Sequence, residues 1–263
     1  MRDALQAHAL VRSGVAVASA LLLADAEDGE VDDRTELWAG DVPPVPLGEG
    51  ILGVTIEDLD GRFPLGALLD NKGKVVPSWA ANYMRLLESL DLEEGDPAEL
   101  TDALVDWIDT DSDGPYESNP EYTVPNVPVE HLESLGRVEG YGPAVLRKLL
   151  PYLDTRSDKA INVNTAPAPV IACLHETLEL GAAEELYRDL GEDPVAKVEA
   201  LRSHPALRDV QAFSAIAQNL KVDSGRFRLR LAADVRGVNR RAEAVLERDR
   251  KEKKVRVADW LEE

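Results

Sequence analysis

The chain has one cysteine, Cys173, so no disulfide can form within it. Its neighbours Val170, Ile171, Ala172 and Leu174 are apolar, which suits a buried structural thiol rather than a nucleophile. Histidine is scarce as well. His8, His131, His175 and His204 have no metal-ligand spacing, and His175-Glu176 has no second histidine one helical turn on. No Gly-x-Ser-x-Gly and no phosphate-cradling glycine loop occurs. Acid–base catalysis needs two carboxyls in different environments, and nothing in the spacing singles out such a pair. Long apolar runs are missing too. The longest, Gly14 to Ala24, is interrupted by Ser19 and falls short of about 30 Å of hydrocarbon, so neither a signal peptide nor a spanning helix is expected. The largest gap is in positive charge. From Leu86 to Gly136 there is no Lys or Arg, against fifteen Asp and Glu.

The chain's 263 residues, 44% of them hydrophobic, suffice for one large domain or two modest ones. A net charge of -21 repels free nucleic acid and anionic membranes. The cation-free span reads either as a solvated acidic face or as a cation site, because unpaired carboxylates repel until a metal neutralises them. Within it, Asp109, Asp111 and Asp113 alternate and are followed by Gly114, matching the first six places of a calcium loop. The twelfth place is Pro120, which has no carboxylate to give. Glu117 and Glu121 flank it and offer one by another path. Hard oxygen ligands without His or Cys favour calcium over zinc.

Arg2 to Ala24 reads as a helix rich in Ala, Leu and Val. An acidic, then proline-rich connector follows to Leu47. Val54 to Asp58 reads as a strand and Leu59 to Arg62 as its turn. From Trp79 the period becomes helical, with Tyr83, Leu86, Leu87 and Leu90 on the same face. A second helix is predicted at Pro97 to Ile108, with Pro97 in its first turn. Further helices are predicted at Pro128–Leu135, Pro143–Leu153, Ala166–Leu180, Ala182–Leu190 and Val195–Ser203. Arg226 to Leu231 alternates apolar with basic, which predicts a strand with one wet face. Ala242–Glu247 and Lys254–Trp260 add two more around a charged turn. The fold class is α+β, with one portion inserted into the other.

Leu135 to Ala144 carries Gly-x-Gly between two short helices, a helix-hairpin-helix pattern able to present N–H groups to a DNA phosphate. Ile161 to Ala166 resembles the opening of a DNA-uptake module, but the glycine pair expected after it is absent. Phosphate contacts need Lys or Arg, and the approach to this hairpin is the most acidic part of the chain, so it reads as a packing unit. Thr165 reads as a helix cap.

Taken in order, these segments resemble the type II secretion system protein K family of minor pseudopilins. Val54 to Asp58 and Gly61-Arg62-Phe63 resemble its early strand and the segment after it, with Pro64 where the family has Asn. Leu104 to Asp109 resembles its acidic helix end. Tyr122 to Asn126 keeps a Tyr-x-x-x-Asn spacing, Leu135 to Gly140 matches the region that follows, and Asn162-Val163-Asn164-Thr165-Ala166 matches in full. The chain departs from the pattern at Gly114 to Ser118, which is shorter and keeps one acid, and at Ser134, where a Glu would fall.

The resemblance implies a pilin-like fold: a long N-terminal helix on a small antiparallel sheet, with a large inserted all-α domain. The expected bounds are residues 1–76 and 213–263 for the pilin-like part and 77–212 for the insertion. It implies a non-enzymatic tip subunit that initiates pseudopilus assembly with I- and J-type minor pseudopilins, contacting them through Leu5, Val11, Val15, Leu22 or their neighbours. Secreted substrates and the outer-membrane secretin are further implied partners. The expected calcium ligands are Asp109, Asp111, Asp113, Glu117, Glu121 and Asn126. The implied location is the inner membrane of a Gram-negative bacterium, with this part in the periplasm and the spanning segment lying before it. A type IV pilus tip subunit, a helix-hairpin-helix DNA-binding protein and a calcium-dependent enzyme are the rival readings.

Overall fold

A computed structural model of the chain describes residues 1–40, 43–117, 123–156, 158–208 and 213–262. The chain opens with a helix, α1 (Arg2–Asp28), followed by strands β1 (Val45–Leu47) and β2 (Gly50–Asp58). A short strand, β3 (Phe63–Pro64), and a 3-10 turn lead to α2 (Pro77–Ser89) and α3 (Pro97–Ile108). Next come α4 (Pro143–Leu149), β4 (Leu153–Asp154), β5 (Ile161–Asn162), α5 (Ala168–Ala172) and α6 (Leu180–Glu192). Short helices α7 (Pro205–Arg208) and α8 (Phe213–Ala217) precede β6 (Leu220–Lys221). Three long strands finish the chain: β7 (Arg226–Val235), β8 (Val238–Asp249) and β9 (Lys254–Glu262).

Two compact units result. One comprises Met1–Asp60, Gly191–Ala196 and Val222–Glu263; the other comprises Gly61–Leu190 and Lys197–Lys221. These joins differ from the expected 76 and 212. The cause is local pairing: β3 pairs with β4 and β5 with β6, which ties the residues just inside each join to the helical unit.

The first unit is a five-stranded sheet in the order β1-β2-β7-β8-β9, with every neighbour antiparallel. The alternation in β7 buries Phe227, Leu229, Leu231, Ala233 and Val235 on one face and turns Arg226, Arg228 and Arg230 to the other. Helix α1 covers the apolar face. Its buried residues Ala7, Val11, Gly14, Ala18 and Leu22 recur every three or four positions and form one stripe. Gly14 is needed there, since a Cβ would overlap the Leu231 side chain. Leu22, Leu52 and Phe227 are essentially solvent-free, and each such side chain contributes about 1.5–3 kcal/mol. Trp38, from the connector after α1, meets Phe227 edge-on at 5.1 Å between ring centroids.

Two expectations about α1 are corrected. It runs four residues beyond Ala24, and its whole length and composition are sufficient to cross a membrane, although Gly14–Ala24 alone is too short. Val11 and Leu22 do not face outward. They lie in this unit's own core and Val15 packs against it, whereas Leu5 is 65% exposed. The outward face carries Leu5, Ala9, Ala16, Val17, Ala20 and Ala24.

The end of α1 is fixed by a buried ion network. Arg248 is fully enclosed and donates to the Leu22 carbonyl at 3.0 Å, to Asp25 at 2.8 Å, to the Ser224 carbonyl at 2.8 Å and to Asp32. Arg250 donates to the second Asp32 oxygen at 2.6 Å, which also accepts the Ser224 N–H. Acids outnumber the two arginines. Burial first, opposed by the Asp33 N–H and reinforced by the Asp25 charge, pushes the Glu36 carboxyl up to about 7.

The second unit is helical apart from the two-residue pairs β3–β4 and β5–β6. Asp96 caps α3, accepting from Ala98 and Glu99, and Pro97 follows at the first helical position. Phe63 sits against Trp79 and Tyr83. The Tyr83 and Tyr141 hydroxyls are 2.8 Å apart, and the Tyr141 hydroxyl donates to the Leu100 carbonyl. A Cβ at Gly140, whose φ is +81°, would crowd Leu100. The Gly-x-Gly hairpin is thus packed through its own residues.

Four predicted helices are shorter here; Pro143–Leu153 ends as α-helix at Leu149, passes through a 3-10 turn and reaches β4 at Leu153. Residues 128–135 hold a 3-10 turn starting only at Leu132. Ala166–Leu180 contracts to α5, which starts after Pro167 at its N-cap and gives way to turns after Ala172. Val195–Ser203 becomes a 3-10 turn at Val198–Ser203. Thr165 is not a cap: Pro167 holds that position, and the Thr165 hydroxyl donates to the Asn162 carbonyl. Cys173 is enclosed and burial pushes its thiol up to about 12, as a structural thiol requires.

Arg248→Ala would leave Asp25 and Asp32 enclosed with a lost partner. Urea unfolding should show a cost of about 3–5 kcal/mol, against about 0–1 kcal/mol for Arg256→Ala in an exposed pair. Glu36 binds its proton more tightly folded than unfolded, so its contribution is fully present below about 4.5 and is lost as pH rises through about 7. The melting temperature should therefore fall from pH 5 to pH 8, and the fall should be shallower in Glu36→Gln.

Candidate functional site

The acidic loop begins where α3 stops. Asp109 takes the C-cap position, its N–H bonded to the Val105 carbonyl, and the chain then turns out of the helix. Four bonds set the loop's path. The Thr110 N–H donates to the Gly73 carbonyl at 3.2 Å, and the Asp113 N–H to the Asp111 carboxylate at 3.0 Å. The Asn126 side-chain amide donates to the Asp111 carbonyl at 2.7 Å, and the Val127 N–H to the Trp107 carbonyl at 3.2 Å. The returning strand is thereby stitched to the departing one. Asn126 reaches this geometry in the left-handed region, at φ 52°, which Asn tolerates better than most residues.

Three of the expected ligands each hold an unpartnered oxygen out of solvent: Asp109 Oδ1, Glu117 Oε1 and Asn126 Oδ1. A buried acceptor without a donor costs about 1–3 kcal/mol, so three in one loop leave a place for a donor or cation that the described residues do not supply. Asp109 is only 6% exposed. Burial, with repulsion from Asp111 and Asp106, pushes its carboxyl up to about 6. No Lys or Arg among the described residues pairs with Asp106, Asp109, Asp111, Asp113 or Glu117.

The remaining expected residues are placed differently. Asp111 and Asp113 are exposed, and the Asp111 carboxylate is engaged by the turn. Glu121 lies outside the described residues, as does Tyr122. The loop is also more open than a closed cage. Among the described residues, three carboxylates converge within 4.8 Å only at Asp25, Asp32 and Glu36, where Arg248 and Arg250 already supply positive charge.

Asp106 is the residue the sequence pattern missed. It is 4% exposed, accepts the Tyr116 N–H at 2.8 Å, and is raised by burial despite that bond, with Glu117, Asp102 and Asp111 adding repulsion. A signal for it exists: an acid in the last turn of α3, where the helix dipole disfavours one and no basic residue compensates. Asp106 also explains Gly114, because a Cβ there would overlap the Asp106 carboxylate. Gly73 and Thr110 were missed too. Gly73 has φ +75° and closes a turn whose Asp70 carboxylate accepts the Lys72 and Lys74 N–H groups. That turn supplies the carbonyl on which Thr110 rests.

Gly114→Ala should destabilise the helical unit by about 1–3 kcal/mol through overpacking against Asp106. Denaturant unfolding measures this, and Gly181→Ala, where a Cβ meets nothing, is the control.

Two models of the family described as type II secretion system (T2SS), protein K match residues 61–155 and 161–223. Three curated relatives carry the description type II secretion system protein K. The Pseudomonas aeruginosa protein is 32% identical over 206 residues, covering 72% of this chain and 61% of that protein. The Klebsiella pneumoniae protein is 31% identical, covering 86% and 74%. The Aeromonas hydrophila protein is 27% identical, covering 95% and 83%. This chain therefore spans less than two thirds of the Pseudomonas protein. A chain of the crystal structure of the GspK-GspI-GspJ complex from the enterotoxigenic Escherichia coli type 2 secretion system superposes with a TM-score of 0.77 at 18% identity, over 98% of this chain and 96% of that one. That likeness establishes a shared fold of a helix on an antiparallel sheet. With the matched models spanning most of Gly61 to Asp223 and the Klebsiella relative covered over three quarters of its length, the chain belongs to the type II secretion system protein K family.

Proposed function

We propose that this chain is a non-enzymatic minor pseudopilin that sits at the tip of a type II secretion pseudopilus and initiates its assembly. The observation that carries this is the double face of α1. One stripe is consumed by the chain's own sheet, while the opposite side exposes the apolar, mostly small Leu5, Ala9, Ala16, Val17, Ala20 and Ala24, interrupted by Arg12 and Ser13. Small residues let a second helix approach closely, so this stripe suits packing against helices of like subunits. The partners are I- and J-type minor pseudopilins, with which the E. coli structural relative was crystallised. Secreted substrates and the outer-membrane secretin are further partners in this reading. The location that goes with it is the Gram-negative inner membrane, with the sheet and the helical unit in the periplasm.

Calcium belongs to the same reading. Asp109, Glu117 and Asn126 would hold it through their unpartnered oxygens, with Asp111, Asp113 and Glu121 completing an oxygen-only set. The ion would neutralise the loop's surplus charge and fix the loop to the end of α3. No chemistry passes through it.

Calorimetric titration of chelator-stripped protein with calcium should give saturable heat that is lost in Asp109→Asn/Glu117→Gln. Calcium at about a hundredfold over its Kd should raise stability by about 2.7 kcal/mol. Absence of heat in the native chain would remove the metal from the proposal. For assembly, the chain should co-elute with the I- and J-type pseudopilins of its own organism, and Ala16→Glu/Ala20→Glu should abolish this. Co-elution unaffected by those charges would refute the role of the α1 stripe.

A further inference from the structure

The sheet face opposite α1 contains a glycine that its own fold does not require. Gly53 lies near the middle of β2, where a glycine weakens a strand by roughly 0.5–1 kcal/mol relative to alanine. Its φ is not positive, and a Cβ there would meet only the Ala232 carbonyl oxygen at 3.7 Å and the Ala232 Cβ at 4.0 Å, which is ordinary contact. Neither backbone geometry nor internal crowding explains it. The missing side chain leaves this part of the face open to close approach from outside the chain.

The register shows what surrounds it. Gly53, Ala232 and Arg241 form one cross-strand row, with small residues at two of the three places. Thr55, Arg230, Glu243 and Leu261 form the next row. Ile51 and Asp234 lie on the other side. The two small residues leave a depression of about 380 Å³ in the face. Leu261, 60% exposed, lines it, and Ile51, 49% exposed, belongs to the neighbouring row. Charge is uneven within it. Arg230 is matched by Glu57 and Glu243, and the Asp234 carboxylate accepts the Gly237 N–H. Arg241 is exposed and has no hydrogen-bond or ion-pair partner among the described residues.

We propose that this depression docks an extended segment of a partner protein carrying an aliphatic side chain two residues from a carboxylate. That spacing puts both side chains on one face of an extended chain. The aliphatic group enters the space over Gly53 and Ala232, beside Leu261. The carboxylate takes the bidentate guanidinium of Arg241. The site is on the opposite face of the sheet from α1, so it stands or falls independently of the α1 stripe and of the calcium loop.

The test uses the whole chain and a fluorescently labelled, end-blocked peptide Ser-Leu-Ser-Glu-Ser, with Ser-Leu-Ser-Lys-Ser as its counterpart, read by anisotropy at low salt. The expected result is saturable binding of the first peptide, weakened at least tenfold in Arg241→Glu and in Gly53→Val, and no binding of the second. Gly53→Val adds a β-branched residue whose Cβ meets Ala232 only at ordinary contact distance, so its melting temperature should be unchanged or higher, which separates lost docking from lost folding. Absence of binding to the native chain, equal binding of both peptides, or undiminished binding to Gly53→Val would each overturn the proposal. So would concentration-dependent self-association abolished by Gly53→Val, which would give the face to a second copy of this chain.

Discussion

The guanidinium of Arg248 is enclosed where the end of α1, the connector after it and the start of β7 meet the strand that carries it. Its donors reach the Leu22 carbonyl, Asp25, Asp32 and the Ser224 carbonyl, and its plane lies 4.8 Å over Phe227. A lysine offers a point charge and three donors, and could not satisfy so many directions at once. Three of these bonds join residues more than two hundred positions apart in sequence. They hold α1 at a fixed angle on the sheet, and with it the uncovered stripe on the far side of the helix.

Acid is concentrated twice in this chain, with opposite outcomes. Around Arg248 the carboxylates are compensated by two arginines, the surplus being carried by a proton on Glu36 near neutral pH. The sequence of the loop after α3 contains no Lys or Arg. Burial of Asp109 and Asp106 and three unpartnered oxygens leave a demand for positive charge that the described residues do not meet. Convergence of carboxylates and a shortage of donors thus occur at different places in the chain. The tighter cluster is the structural one, and the looser loop is the one with vacant acceptors.

Much of the architecture was legible. The helix at Pro97–Ile108 was read to the residue, because Asp96 and Pro97 mark its start and the acidic turn its end. The alternation from Arg226 identified a strand with one wet face, and the register bears out which residues turn inward. Ala166–Leu180 was misread as one helix because its apolar content outweighed two prolines. Val11 and Leu22 were assigned to partners because a helix that is apolar all round does not declare which stripe its own sheet takes. Asp106 was passed over because its role depends on a backbone N–H ten residues away, which no local spacing encodes.

By itself the sequence determined the periods, the charge deficit between Leu86 and Gly136 and the run of motifs that resembles the protein K family. These are local properties, set by side-chain type and spacing along one chain. Only the tertiary structure decided which face of α1 is spent on the sheet, which acids are compensated, and which oxygens of the loop lie buried without a donor. It alone placed Gly53 beside Ala232 and Arg241. Each of those depends on strands and helices distant in sequence meeting at one place, where burial converts an ordinary charge or a missing Cβ into a specific demand.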